Sequence, residues 1–171
     1  MKPVIISYYE NMFLKNASAD ANQEFKKPCQ TIKRKSAAKL YMNYNKLNPQ
    51  EERVIVHKAT ETPFTGEYES FYKDGTYICR RCNAPLFSSK SKFDAGCGWP
   101  SFDESFPNAL KRVPDPDGVR IEIQCKNCGG PLGHEFLGEG LTDKDTRECV
   151  NSLSIRFIPK GKELPKIITY E

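Results

Sequence analysis

Four cysteines fall in two matched pairs, Cys79-Arg80-Arg81-Cys82 and Cys125-Lys126-Asn127-Cys128. A Cys-x-x-Cys turn puts two thiolates on one knuckle. Two knuckles supply the four sulfurs of a tetrahedral zinc site, at about 2.3 Å per Zn–S bond. One such turn alone reads equally as a redox dithiol. Two at strand ends point instead to one structural Zn2+, with no open position for catalysis. A small turn follows each, Asn83-Ala84-Pro85 and Gly129-Gly130-Pro131. The 42 residues between the knuckles, 83–124, exceed the usual ribbon spacing and read as a functional insertion.

Three cysteines remain. Cys29 lies in an irregular leading stretch and is given no role. Cys97 sits between Gly96 and Gly98, two residues before Trp99, the one tryptophan of the chain. Cys149 opens an alternating strand, two residues after Arg147, whose charge favours a thiolate. A loop cysteine and a strand cysteine, neither needed by the metal, form a candidate pair of attacking and resolving thiols. The alternative is one exposed and one core cysteine. His134, in Gly133-His134-Glu135-Phe136, is either structural or an acid–base group.

The elements that must position these residues are mostly strands. Asn48-Pro49-Gln50-Glu51 reads as an N-cap, a proline at the first helical position and an acid at the third. A helix over about 49–58 follows, with Val54 and Ile55 buried, and Thr62-Pro63-Phe64-Thr65-Gly66 breaks it. Gly75–Cys79 is a short strand. Residues 119–125 alternate strictly into the second knuckle, and 151–158 alternate again, with Leu153, Ile155 and Phe157 on one face. Residues 94–118 and 137–146 read as loops. The domain is therefore mostly β with a helical start.

Composition narrows the classes. The 171 residues are 38% hydrophobic and 11% aromatic, which supports one buried core and excludes a wholly disordered chain. No stretch reaches the roughly 20 apolar residues of a membrane span, and no signal-peptide core is present. The net charge of +4 is uneven. Residues 1–45 hold eight Lys and Arg against three Asp and Glu, whereas the rest hold 18 against 19. The basic character belongs to the leading segment, where Lys33-Arg34-Lys35 reads as a solvated tail or an anion-binding patch. A nucleic-acid-binding ribbon should instead carry its charge on the folded domain. Many cysteines without an export signal suit a reducing, cytoplasmic setting.

Taken together, these motifs resemble the methionine-R-sulfoxide reductases of the B type. The resemblance runs through Pro63-Phe64-Thr65-Gly66-Glu67-Tyr68, the first knuckle and Phe93 to Phe102 with its Gly98-Trp99-Pro100-Ser101-Phe102 run. It continues through Arg120–Ile123, the second knuckle, Leu132-Gly133-His134 and Arg147 to Phe157. It covers about 46–159, leaving a flexible segment 1–45 and a tail 160–171 outside the reductase domain. The family resemblance implies a mainly β, tent-like fold of two small antiparallel sheets with a zinc-knuckle pair and a short helical lead-in. It implies that Cys149 attacks the sulfoxide sulfur, that Cys97 resolves the sulfenic acid as a disulfide, and that thioredoxin is the reductant. His134 and Asn151 would surround the sulfoxide oxygen, and Arg147 would hold the thiolate. Trp99 would be the apolar wall for the S-methyl group, with Phe136 a second substrate contact. The implied substrates are oxidised proteins or free methionine-R-sulfoxide, the implied state a monomer, and neither nucleic acid nor membrane is a partner.

Two positions depart from the family pattern. Pro131 stands where a second His is usual, three residues before His134, and Glu148 stands where an aromatic or His usually precedes the catalytic cysteine. Adjacent strand residues face opposite sides, so Glu148 is expected to point away from Cys149. The competing class is a non-enzymatic zinc-knuckle binding module. Such a module has no use for Cys97, Trp99, His134 and Cys149 together.

Overall fold

The computed structural model describes residues 44–169. Its helix, α1 (Pro49–Ile55), begins as the sequence dictates. Asn48 accepts from the Gln50 and Glu51 amides, and Glu51 reaches back to the Asn48 amide at 2.8 Å. Val54 and Ile55 are buried. The helix stops three residues short of the expected 58, because Val56 caps it and Lys58 turns to φ 56°. No helix among the described residues is long and apolar enough to cross a membrane.

Among the described residues, nine strands follow in two antiparallel sheets. They are β1 (Gly75–Cys79), β2 (Pro85–Ser88), β3 (Lys92–Phe93), β4 (Ser101–Phe102), β5 (Leu110–Pro114), β6 (Ile121–Cys125), β7 (Pro131–Leu137), β8 (Thr146–Val150) and β9 (Ile155–Pro159). One sheet has the order β2-β1-β9, the other β3-β4-β8-β7-β6-β5. The mainly β architecture with two antiparallel sheets and a short helical start is as expected.

Tyr77, Leu86, Phe87, Phe102, Ile123, Leu132, Val150 and Ile155 form the core and are almost fully buried. Phe87 stacks on Phe102 at 4.2 Å, and Tyr77 meets the Phe102 ring edge-on at 5.1 Å. Each such side chain contributes roughly 1.5–3 kcal/mol of burial. Both sheets contribute to this core, so it fixes β4 and β8 against β1.

Three readings need correction. The presumed loop 94–118 contains β4 and β5. Cys149 lies near the end of β8 rather than opening a strand. The alternating run 151–158 is not one strand, because a 3-10 turn, Ser152–Ser154, precedes β9. The tail also is tied to the domain: Asn83 donates to the Lys166 carbonyl at 2.9 Å, and the Ile168 amide to the Cys82 carbonyl at 2.8 Å. Cys29 and the Lys33–Lys35 run lie outside the described residues.

Candidate active site

The two knuckles are built alike. The Asn83 amide donates to the Cys79 carbonyl at 2.9 Å and the Cys79 amide to the Ala84 carbonyl at 2.8 Å. In the second, Gly129 donates to Cys125 and Cys125 to Gly130, both at 2.8 Å. Asn83 and Gly129 take matching left-handed conformations, φ 67° and 68°. The four sulfurs lie within 4.8 Å of one another, with Cys79–Cys128 and Cys82–Cys125 at 3.6 Å. A tetrahedral ion with bonds of about 2.3 Å separates its sulfurs by roughly 3.8 Å. Cys79, Cys82, Cys125 and Cys128 could therefore hold one metal ion.

The remaining two described thiols meet elsewhere. In the six-stranded sheet, Ser101 of β4 pairs with Cys149 of β8, which pairs with His134 of β7. Directly opposed residues share a face, so Ser101, Cys149 and His134 form one row across three strands. β7 and β8 approach closely there. A Cβ on Gly133 would lie 1.9 Å from the Cys149 carbonyl oxygen, so only glycine fits. The Cys97 loop brings its Sγ to 3.7 Å from Cys149 Sγ and 3.4 Å from Ser101 Oγ. That loop is less free than its glycines suggest. Gly98 is buried under Pro63 and Phe64, and its carbonyl accepts from the Phe64 amide at 2.7 Å.

The two thiols are coupled through their 3.7 Å contact. That contact, helped by Ser101 and the Trp99 backbone, brings the Cys97 thiol down to about 5. The same contact, with burial, pushes Cys149 up. Arg147 opposes that rise as the positive charge beside both sulfurs. Its guanidinium binds Glu139 at 2.6 and 2.8 Å and lies over the Phe136 ring at 4.1 Å.

Cys149 opens into a cleft of about 100 Å3 lined by Thr60, Trp99, His134, Phe136 and Asn151. His134 Nε2 is 2.6 Å from Asp115 Oδ2, and this bond holds the Asp115 carboxyl below its ordinary range. Trp99 is half-buried, its Nε1 donating to the Glu61 carbonyl at 3.0 Å. Asn151 lines the cleft, but its side chain is engaged: Oδ1 accepts from the Glu61 amide at 2.9 Å and Nδ2 donates to Leu132 at 3.1 Å. A larger cavity, about 310 Å3, is lined by Lys90, Ser105 and Lys144 and contains no thiol and no histidine.

Glu148 points away from this cleft, as the strand alternation predicts. It is 1% exposed, and its Oε1 accepts from Arg112 at 2.9 Å and Ser105 at 3.2 Å, while Oε2 has no hydrogen-bond partner among the described residues. Burial pushes its carboxyl up to about 7. Pro131 begins β7. Sequence reasoning missed Asp115 and Glu61. Asp115 opens the Asp115-Pro116-Asp117-Gly118 turn between β5 and β6, and a hairpin there would have been the signal for an acid hanging over the sheet.

The fold and cleft define a β domain with two separate cysteine groups, one closed around a prospective ion and one opening on a cavity beside a histidine. The SelR domain model matches residues 47–159. Over 114 residues the chain is 56% identical to "Peptide methionine sulfoxide reductase B5" of Oryza sativa subsp. japonica, covering 66% of this chain and 84% of that one. It is 55% identical over 119 residues to "Peptide methionine sulfoxide reductase B3" of Arabidopsis thaliana, covering 69% and 68%. The chain belongs to the SelR, or methionine sulfoxide reductase B, family. It is an oxidoreductase of methionine sulfoxide.

Proposed function

We propose that this enzyme reduces the R epimer of methionine sulfoxide, in proteins or free, through a Cys149 sulfenic acid and a Cys97–Cys149 disulfide that thioredoxin reduces. The observation that carries this reading is the position of Cys149, with Cys97 Sγ at 3.7 Å and His134 opposite on the neighbouring strand.

A sulfoxide sulfur is a poor electrophile until its oxygen takes a proton. In the first step Cys149 gives up its proton to solvent beside Arg147, and its thiolate forms a bond to the substrate sulfur. His134, held by Asp115, supplies the proton to the oxygen. Collapse leaves the oxygen on Cys149 as a sulfenic acid and releases methionine. In the second step the Cys97 thiolate attacks Cys149 Sγ, the hydroxyl leaves as water with a proton taken from solvent, and His134 regains a proton from solvent. The low value of the Cys97 thiol suits this step, since the thiolate is the attacking form. An incoming dithiol then restores both cysteines.

The R preference is supported by the asymmetry of the cleft. Trp99 offers an apolar face for the S-methyl group, His134 a proton for the oxygen, and Cys149 the line of attack, so three fixed points distinguish the two hands of the sulfur. The knuckles are assigned one structural Zn2+ through Cys79, Cys82, Cys125 and Cys128, because four thiolates fill a tetrahedral site. We place this monomeric enzyme in the cytoplasm, where thiols stay reduced. A thioredoxin-coupled assay with both epimers of a blocked methionine sulfoxide tests the reading. Turnover of the R epimer alone supports it, and turnover of neither or of the S epimer overturns it.

A further inference from the structure

Cys149 is followed by a turn whose own N-cap does not cap it. Asn151 precedes the 3-10 turn Ser152–Ser154 but makes no side-chain bond to the turn's amides. A residue 91 positions earlier takes that place. Glu61 Oε2 accepts from the Ser152 amide at 2.7 Å, and the neighbouring Leu153 amide also favours its charged form. Carboxylates hydrogen-bonded to amides at a turn's N-terminal end make short, charge-assisted bonds.

The main chain of the same residue does more. Its amide donates to Asn151 Oδ1 at 2.9 Å, and its carbonyl accepts from Trp99 Nε1 at 3.0 Å. Glu61 is 8% exposed, and its carboxylate lies against Gly66, where a Cβ would stand 3.2 Å from Oε2 and 2.3 Å from Ser152 Oγ. One buried residue thus bonds to both sides of the cleft.

We propose that Glu61 is a positioning residue for sulfoxide reduction, fixing Trp99 and the Asn151–Ser152 turn relative to Cys149. The inference rests on the reading of the cleft as the sulfoxide site. Burial raises the Glu61 carboxyl, and the Ser152 and Leu153 amides work against that rise, so they favour the ionised acceptor. Glu61 touches no reacting atom. Its effect is on how well the S-methyl wall and the turn after the nucleophile are held, and a displacement of order 1 Å at such a site costs on the order of 10²-fold in rate.

The test uses the full chain with its metal, as wild type, Glu61→Ala, Glu61→Gln and, as a stability control in the other sheet, Leu86→Ala. Trp99 is the only tryptophan, so intrinsic emission and acrylamide quenching report on the cleft wall directly. The measurements are emission, thermal melting, and kcat and KM for the R-sulfoxide. Glu61→Ala should move Trp99 emission to the red, make it more quenchable, and lower kcat/KM by about 10- to 100-fold with the larger part in KM. Glu61→Gln, which keeps an acceptor for Ser152, should recover most of both. Leu86→Ala should melt lower without either change.

Glu61→Ala with wild-type emission and kinetics would overturn the proposal. Equal losses in Glu61→Gln and Leu86→Ala, tracking melting temperature alone, would overturn it too. If Glu61→Ala does not fold, Glu61→Asp, whose shorter side chain withdraws the acceptor from Ser152, takes its place: a red shift and lower kcat/KM beyond those of Leu86→Ala support the proposal, and wild-type emission and kinetics overturn it. Absence of R-sulfoxide turnover in the wild type would instead count against the reaction itself, and the Trp99 signal would still judge the contact.

Discussion

The knuckle cluster and the reaction cleft are built from the same side chain and put it to opposite uses. At the knuckles four sulfurs converge within 4.8 Å, three of the four residues are buried, and each turn closes on itself through paired backbone bonds. The tail and Asn45 brace the outside, Asn45 donating to the Arg80 carbonyl at 2.7 Å. Nothing there is left to react. At the cleft only two sulfurs meet, 3.7 Å apart, and both residues are half-buried. The lesson is that coordination number and closure, not the thiol, decide between a structural and a reactive cysteine.

Breaking the cleft should cost activity with little loss of fold. Cys149→Ala is expected to abolish methionine release even in a single turnover. Cys97→Ser should still release one equivalent and then stop, losing thioredoxin-driven recycling. Quenched-flow quantitation of methionine separates them. His134→Ala should lose about 10²–10⁴-fold in kcat, the range for a positioned acid. Steady-state kinetics on the R-sulfoxide checks this, and Asp115→Asn should fall between that variant and wild type.

Breaking the knuckles should do the reverse order of damage, with stability first. Stripping the metal, or Cys82→Ser, should lower the melting temperature by about 10 °C or more, as expected for losing at least roughly 3 kcal/mol. Metal-free protein with unchanged melting and a metal content of zero as isolated would remove the structural assignment.

A smaller effect sharpens the contrast between the two faces of β8. Glu148 titrates near 7 in the folded chain against an ordinary value of 4.5, so folding favours its neutral form. The cost of ionising it is absent below about pH 4.5 and complete above about pH 7. Glu148→Gln should therefore raise stability at pH 8 by up to ~3 kcal/mol and make no gain at pH 4. Urea melts at the two pH values measure it. Smallest of all, a chain beginning at Tyr44 should keep most of its activity, since every residue placed in the cleft follows position 59.

Much of this was legible in the sequence where local chemistry decides structure. The Asn48-Pro49-Gln50-Glu51 cap, β1 and both knuckles were readable because each is set by its own few residues. β7 was not, because Pro131, Gly133 and partial burial on both faces erase the alternation; pairing with β6 and β8 makes it a strand. The 151–158 run looked like one strand because nothing in its own alternation marks the 3-10 turn at Ser152–Ser154, whose first amide bonds to Glu61, 91 residues before Ser152. The cleft residues Cys97, Trp99, His134, Phe136, Cys149 and Asn151 were legible as types, and their convergence followed from the family resemblance and not from their spacing. Asp115 and Glu61 were invisible for the same reason: each acts through a partner that only the fold brings near.

The most direct test of the central claim, that Cys97 and Cys149 work as one redox pair while the knuckle cysteines do not, is disulfide mapping after a single turnover. Reduced, metal-loaded protein is mixed with the R-sulfoxide without reductant, alkylated and digested, and released methionine is quantified. The account predicts one equivalent of methionine, one peptide pair joined through Cys97 and Cys149, and alkylation or metal protection at the other five cysteines. One equivalent of methionine with Cys149 joined to Cys29, or with a bond inside the knuckles, would contradict it.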